Sequence, residues 1–239
     1  DVMGRLLRAE LVRYLYDRTF WIALLVIVLA NMVVLTGGHQ LEAPGREVLG
    51  KIMMKSVATM MIVGVYAGLS FGGDFERGTF SYPIRCGWTM GKALLSKILV
   101  FVVFMAFAII LFPICAVAWC TLTNGWGASF TPAEAASFFA MLVSLMVLAA
   151  STAMVSVLVS VATRSSAAAI AISLGVTLLQ MPVLNGASGL AAAHFLPFGA
   201  MWFVAKGDMS PLYGVMLGVV WSIVLYAVCT AILERTDMK

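Results

Sequence analysis

Few residues of this chain combine a type and a spacing that could support chemistry. Asp74 and Glu76 form a close acidic pair beside the end of a long apolar run, and paired carboxylates are the usual apparatus of general acid–base catalysis. An enzyme at this position would need further acidic or His residues around the pair. The sequence offers none nearby, so we expect both carboxylates to lack partners and predict no catalytic residue.

Two other patterns that could carry chemistry also fail on their spacing. The stretch from Gly87 to Ala93 superficially resembles the phosphate-binding pattern G-x-x-x-x-G-K-[ST], but its first gap is one residue short and Ala93 replaces the required hydroxyl. The four cysteines form no C-x-x-C motif and no Cys/His cluster. We therefore predict no metal site and no cofactor on this chain.

Mildly polar residues occur inside the apolar runs, and five of them are candidates for lining a passage. They are Asn31, Thr152, Ser156, Gln180 and Asn185. The same groups serve equally well as contacts between packed helices, so both interpretations stay open. No Asp or Glu lies in the middle of an apolar run, although ion-coupled transporters usually need such groups. We expect the energy for any transport to come from another chain.

Six apolar segments must position these residues, and each is long enough, or nearly so, to cross the roughly 30 Å hydrocarbon layer as a helix. They are Phe20–Thr36, Ile52–Gly72, Ile98–Cys120, Ala136–Ala162, Ala167–Leu190 and Leu212–Leu233. Hydrophobic residues make up 62% of the chain and charged residues 11%, far from the balance of a soluble domain. The sequence predicts an all-α polytopic membrane protein, with residues 1–239 as a single transmembrane domain.

Basic residues predict the orientation of these spans, because cytoplasmic loops carry an excess of Lys and Arg. Eleven of the 15 basic residues fall on the side of both termini and four on the other. We therefore expect both termini in the cytoplasm and the chain in the cytoplasmic membrane. The net charge of +4 is then mainly a signal of topology, and we predict no nucleic-acid partner.

Three segments outside the spans have distinct predicted roles. Residues 1–19 contain apolar positions at three- and four-residue spacing, typical of an amphipathic helix in the headgroup layer. Residues 73–97 form a cytoplasmic segment between the second and third spans. Residues 191–211 include an apolar stretch broken by Pro197 and Gly199, which favours a re-entrant or interfacial segment.

A row of small residues in the second span predicts close helix packing. Gly64, Gly68 and Gly72 recur every four residues, and such rows let two helix backbones approach each other. The sequence does not choose between a partner helix in the same subunit and one across a dimer axis.

The 73–97 segment carries the most specific pattern of the chain, DFERGTFSYPIRCGWTMGKALLSK over Asp74–Lys97. This stretch resembles the permease subunits of type-two ABC exporters, in the branch of peptide-antibiotic resistance and lantibiotic-immunity permeases. The shared positions are Asp74, Phe75, Gly78, Thr79, Gly87, Thr89, Ser96 and Lys97. Met90 departs from the pattern, because that family usually has Arg there.

The resemblance implies a non-catalytic subunit that pairs with a second, identical or related permease in the membrane lipid. A separate cytoplasmic ATPase would bind ATP and Mg²⁺ and move an amphipathic or apolar substrate, such as an antimicrobial peptide, a lipid or a drug. The expected surface for coupling to that ATPase is Asp74, Phe75, Glu76, Arg77, Gly78, Thr79, Arg85, Gly87 and Lys97. A secondary transporter and a membrane-bound lipid-modifying enzyme remain the alternatives.

The predicted topology can be tested with reporter fusions or cysteine labelling. We expect probes at Leu41, Ala128 and Asp208 to report the outer side, and probes at Ser81 and Lys239 to report the cytoplasm, because of the bias in basic residues. An outward signal from Ser81 would contradict this topology.

Overall fold

The structure of the chain is a computed structural model. It describes residues 2–36, 44, 45, 47, 48, 57–127, 131–186 and 191–236. Across these ranges the protein is almost entirely helical and contains no strand. The prediction of an all-α fold is confirmed.

The chain begins with two helices that meet at a sharp bend. Helix α1 covers Val2–Tyr16 and helix α2 covers Arg18–Thr36. Their axes are bent by 61° at Asp17, whose carboxylate accepts a hydrogen bond of 2.9 Å from the backbone N–H of Thr19. A side chain that satisfies a free N–H group in the first turn helps a new helix to begin there.

The remaining helices follow in chain order, with two short non-α turns. They are α3 (Val57–Ala67), a π-helical turn (Gly68–Gly72), α4 (Gly73–Glu76), α5 (Ser81–Arg85), α6 (Met90–Asn124), α7 (Pro132–Thr163), α8 (Ser166–Gly186), a 3₁₀ turn (Ala191–Phe195), α9 (Pro197–Lys206) and α10 (Pro211–Thr236). Three of these helices start at a proline, which is favoured at the first position because its missing N–H would be unsatisfied anyway.

Three of the described helices, α6, α7 and α10, are long and apolar enough to cross a membrane. The bent pair α1 and α2 raises the number to four if it forms one span. Large apolar side chains on α2 and α10 are exposed, among them Ile22, Val33 and Met216. Continuous exposed apolar surface of this kind suits lipid rather than water. These helices indicate a membrane-embedded protein.

The third apolar run differs most from its predicted start. Helix α6 begins at Met90, eight residues before the predicted Ile98. Residues Ala93, Leu94, Ser96 and Lys97 are buried by neighbouring elements, so the first turns of α6 are held by tertiary packing that hydropathy does not register. The last eight residues of the 73–97 segment therefore belong to a long helix.

The predicted outer segment 191–211 is folded into a 3₁₀ turn and helix α9. Most of α9 is buried, and it packs against α7. Gly199 lies directly against the backbone carbonyl of Ala193, a contact that leaves no space for a side chain. The indole of Trp221 on α10 donates a hydrogen bond of 2.7 Å to the carbonyl of Phe195. These contacts fix the segment between the 3₁₀ turn and α10.

The glycine row of the second apolar run lies against α8 of the same chain. A Cβ atom at Gly64 would stand 3.3 Å from the Ser173 side chain, and one at Gly68 would stand 3.0 Å from Ile170. At Gly72 the nearest atom is the backbone Cα of Ser166, at 2.5 Å. The separation falls steadily along the row, so α3 and α8 converge towards the π-helical turn.

This convergence predicts a graded response to alanine substitution. Gly72→Ala should destabilise the protein most, by roughly 1–3 kcal/mol, because the added methyl group meets backbone that cannot rotate away. Gly64→Ala should have the smallest effect, since it meets a small side chain. Thermal unfolding of the purified protein in detergent would measure the order.

Gly175→Ala is the matched control, because Gly175 lies on α8 with nothing within 4 Å of the position of its Cβ. Equal melting temperatures for Gly72→Ala and Gly175→Ala would contradict the close approach of α3 to α8.

Candidate functional site: the buried carboxylate of Asp74

Asp74 occupies the first turn of α4, directly after the π-helical turn. It is 3% exposed, which is unusual for a carboxylate. A π-helical turn contains more residues than an α-helical turn and shifts the register of the residues that follow. The turn at Gly68–Gly72 therefore determines the direction in which the first residues of α4 face.

The carboxylate of Asp74 is surrounded by donors from three elements. Arg13 of α1 approaches both oxygens through its two terminal nitrogens, one at 2.8 Å from Oδ2. The ammonium of Lys97 on α6 forms an ion pair with Oδ2. Thr79 donates a hydrogen bond of 2.9 Å to Oδ1. One side chain thus joins α1, α4 and α6.

Glu10 adds a second negative charge to this ion cluster. Its Oε2 lies 3.8 Å from the guanidinium of Arg13, and the same atom is buried without a hydrogen-bond partner. Two cations and two carboxylates thus balance each other. A buried charge costs several kcal/mol unless it is paired, so this balance is a condition for burying Asp74 and Lys97 together.

Lys97 also contacts the π-helical turn. Its side chain is 2% exposed, and its ammonium donates to the carbonyl of Ser70 at 3.5 Å and lies 5.2 Å from the centre of the Phe71 ring. A cation over an aromatic face is attracted by the negative face of the ring. Lys97 therefore binds α6 to both sides of the junction between the π-helical turn and α4.

Aromatic side chains of α1 and α3 extend the same junction. Tyr14 forms a hydroxyl–hydroxyl hydrogen bond of 2.9 Å with Ser70, and its ring stacks on Phe104 of α6. Tyr66 donates a hydrogen bond of 3.0 Å to Asp17, at the bend between α1 and α2. The bend, the π-helical turn and α6 therefore form one packed unit.

Glu76 connects the 73–97 segment to a fourth element. Its carboxylate accepts hydrogen bonds from the backbone N–H of Ser166 at 2.8 Å and from the Ser166 hydroxyl, at the first turn of α8. The backbone N–H of Ser166, followed by its hydroxyl, lowers the pKa of Glu76 below its ordinary value. Because folding lowers the pKa of Glu76, its hydrogen bonds to Ser166 stabilise the folded state fully above the ordinary Glu pKa. This stabilisation is lost as the pH falls through the lower pKa of the folded state.

The two carboxylates have basic and hydroxyl partners within the chain, which differ from the acidic or His partners that a catalytic pair would need. Asp74 pairs with Arg13 and Lys97, and Glu76 pairs with Ser166. Their partners lie 61, 23 and 90 residues away in the sequence, so local sequence patterns could not reveal them. Asp74 and Lys97, which we expected on the coupling surface, are both buried.

The other residues expected on the coupling surface divide into two groups. Phe75 and Thr79 face inward, with Phe75 packed on Phe80 at a ring distance of 4.6 Å. The exposed members are Glu76, Arg77, Gly78, Arg85 and Gly87. Gly78 and Gly87 have φ values of 68° and 86°, a backbone conformation that other residues rarely adopt, and they form the turns at the two ends of α5.

Two of the predicted pathway residues border a common cavity. Thr152 and Ser156 line a cavity of about 170 Å³ between α3, α7 and α8, together with Ser173 and Thr177. The hydroxyls of Ser156 and Ser173 are hydrogen-bonded to each other. The walls combine hydroxyl groups with the apolar surfaces of Val63, Phe198 and Trp221, so the cavity is amphipathic.

Asn31 lies elsewhere, in the contact between α2 and α3. Its amide donates to the Ile27 carbonyl at 2.8 Å and to the Thr59 hydroxyl at 2.9 Å. This geometry matches the packing interpretation of the residue. The side chains of Gln180 and Asn185 lie outside the described residues.

Sequence reasoning did not identify Arg13, Glu10 or Tyr14 as site residues. One signal was present, because Asp74 and Lys97 each adjoin an apolar run and a charge at such a position needs a partner. The sequence could not say which of the basic residues supplied it.

Comparisons with known proteins assign no family to the chain. No protein-family model matches it, and no curated protein matches it.

Substitutions in the ion cluster should have unequal effects. Asp74→Asn should destabilise the protein by about 3–5 kcal/mol, because it leaves Lys97 buried without a counter-charge. Lys97→Met should lower the free energy of unfolding less, since Arg13 still neutralises Asp74. The Arg13 side chain is 44% exposed, so water also solvates this cation. Thermal unfolding in detergent would measure the difference.

Arg85→Gln provides the control, because it removes an exposed charge from the same segment. The double variant Asp74→Asn, Lys97→Met should recover part of the stability lost in Asp74→Asn. Additive losses in the double variant would contradict a direct interaction between the two side chains.

Proposed function

We propose that this chain is the permease subunit of an ATP-driven ABC exporter in the cytoplasmic membrane. In this proposal the chain has six spans and cytoplasmic termini, pairs with a second permease, and receives movement from a separate ATPase. The substrate is an amphipathic or apolar molecule, such as an antimicrobial peptide, a lipid or a drug. The chain itself supplies no catalytic residue.

The observation that carries the proposal is that the 73–97 segment is attached to α1 and α8 and continues directly into α6. Asp74 holds it to α1, Lys97 continues it into α6, and Glu76 holds it to the start of α8. A partner that displaced this segment would therefore displace helices on several sides of the protein. Such an arrangement supports a role in transmitting movement.

The exposed side of the segment has the composition of a docking surface. Tyr82 is 60% exposed, and Arg85 is exposed at the end of the same short helix. Tyr and Arg are enriched in protein interfaces, where they supply much of the binding energy. Glu76 is hydrogen-bonded to Ser166, so we assign it to contacts within the chain. We propose that α5 contacts the ATPase.

The amphipathic cavity lined by Thr152 and Ser156 supports the proposed substrate class. Its hydroxyls and apolar walls suit a molecule with both polar and apolar parts better than a simple ion. Thr152 and Ser156 lie on α7, whereas Ser173 and Thr177 in the same cavity wall lie on α8, which begins at the contact with Glu76. Movement of the segment would thus reach the cavity wall directly.

A paired substitution on α5 tests the docking surface. Tyr82→Ala with Arg85→Glu should leave insertion and melting temperature unchanged and should lower stimulation of the proposed partner ATPase at least tenfold, because it removes an aromatic contact and reverses a charge. The measurement is ATP hydrolysis by the purified complex in nanodiscs, with copurification as a second readout.

Arg8→Glu is the matched control, because it reverses an exposed charge on α1 and leaves α5 intact. Unchanged ATPase stimulation in a properly inserted Tyr82→Ala, Arg85→Glu variant would reject α5 as the docking surface. Absence of any ATPase that responds to the chain would reject the exporter proposal itself.

A secondary transporter is the second candidate, and the buried pair of Asp74 and Lys97 favours it. Buried titratable groups are the usual means of coupling transport to protons. Proteoliposomes that contain the chain alone distinguish the two functions. Substrate movement driven by an imposed pH gradient without ATPase would favour the secondary transporter, whereas movement that requires ATPase and ATP supports the exporter.

A further inference from the structure

An apolar groove runs along the outer surface between α6, α7 and α10. Its volume is about 350 Å³, and its lining includes Leu95, Leu99, Val102 and Ala106 on α6, Ala150 on α7 and Ile223 on α10. Leu99 is 44% exposed and Ile223 61% exposed, so the groove opens towards the lipid. It is separate from the hydroxyl-lined cavity and from the ion cluster.

The groove covers about half of the membrane thickness. Eleven residues separate Leu95 from Ala106, which corresponds to about 16 Å along a helix, against roughly 30 Å for the whole hydrocarbon layer. At the deep end of the groove, Gly218 of α10 lies against Val147 of the lining, and beyond it Gly214 lies against Ser144, so α10 closes onto α7 there. A helix from a partner protein would need a groove of full membrane depth. A lipid chain from one leaflet needs only this length.

The open end of the groove has the residues of a membrane–water interface. Tyr226 lines this end of the groove, and its hydroxyl donates a hydrogen bond of 3.1 Å to the carbonyl of Gly91. Aromatic residues of this type are enriched at headgroup depth. The groove therefore begins where lipid headgroups lie.

An exposed cation stands beside the same end. Lys92 precedes Leu95 by three residues and Leu99 by seven, a spacing that places it on the groove side of α6. Glu234 and Arg235 on α10 are also exposed near this level and offset each other in charge. The cation therefore complements a negatively charged headgroup.

We propose that this groove binds one acyl chain of an anionic phospholipid, with Lys92 beside the phosphate. The occupant belongs to the leaflet at the start of α6. Its assignment to the cytoplasmic leaflet rests on the orientation given under the proposed function. The binding itself depends on neither an ATPase nor a transported substrate.

Lipid binding to the purified, delipidated full-length chain tests the inference. Native mass spectrometry and melting temperature would be measured after addition of phosphatidylglycerol or of phosphatidylcholine with the same acyl chains. The wild type should retain one tightly bound lipid per chain and prefer phosphatidylglycerol about fivefold, the effect expected of one Lys near an anionic headgroup.

Two variants separate the chain site from the headgroup site. Ala150→Leu fills the groove and should reduce retained lipid at least tenfold with either headgroup. Lys92→Gln should abolish the preference for phosphatidylglycerol and leave binding of phosphatidylcholine unchanged. Ala171→Leu is the matched control, because Ala171 is exposed on α8 outside the groove, and it should behave like the wild type.

Retention of lipid by Ala150→Leu at the wild-type level would overturn the proposal. Loss of a dimer in Ala150→Leu, with lipid binding intact, would also overturn it and would identify the groove as a contact between copies. If Ala150→Leu does not fold, the headgroup preference decides, and equal preference in the wild type and in Lys92→Gln rejects the site. Failure of ATP-driven transport would leave these results unaffected.

Discussion

The burial of one carboxylate governs the arrangement of this protein's charged end. Asp74 lies where water cannot solvate it, so the fold must supply positive charge from close range. The two cations that do so lie on α1 and α6, on opposite sides of Asp74 in the sequence. The position of the first helix is therefore linked to the start of the longest one. The aromatic packing around Tyr14 and Phe104 then excludes water from the same junction.

On the opposite side of the π-helical turn, the glycine row and Glu76 both contact α8. Because Gly72 has no side chain, the backbone of the π-helical turn approaches the first turn of α8 closely. Glu76 follows four residues later and accepts the free N–H group of Ser166. The carboxylate thus stabilises the start of α8, where the helix dipole favours a negative charge. Gly72 and the Glu76 carboxylate therefore both stabilise the same contact with the first turn of α8.

The sequence predicted the helical class and most long helices, because apolar runs and proline starts are local signals. The apolar run from Ile98 did not reveal that α6 begins at Met90, because the first turns of this helix are buried by tertiary contacts that hydropathy does not register. The sequence also failed to predict the partners of Asp74 and Glu76, which lie far away in the chain. The four-residue spacing of the glycines predicted that Gly72 packs closely against another helix. Only the tertiary structure identifies that helix as α8.

The separation of Arg13 and Asp74 also matters while the protein is being made. The two residues lie 61 positions apart, and ribosomes add about 5–20 residues per second, so Arg13 emerges about 3–12 s before its partner. During this interval α1 can hold its guanidinium only among water and lipid headgroups. Helix α1 therefore reaches its final contacts only after Asp74 on α4 and Lys97 on α6 have both been added to the chain.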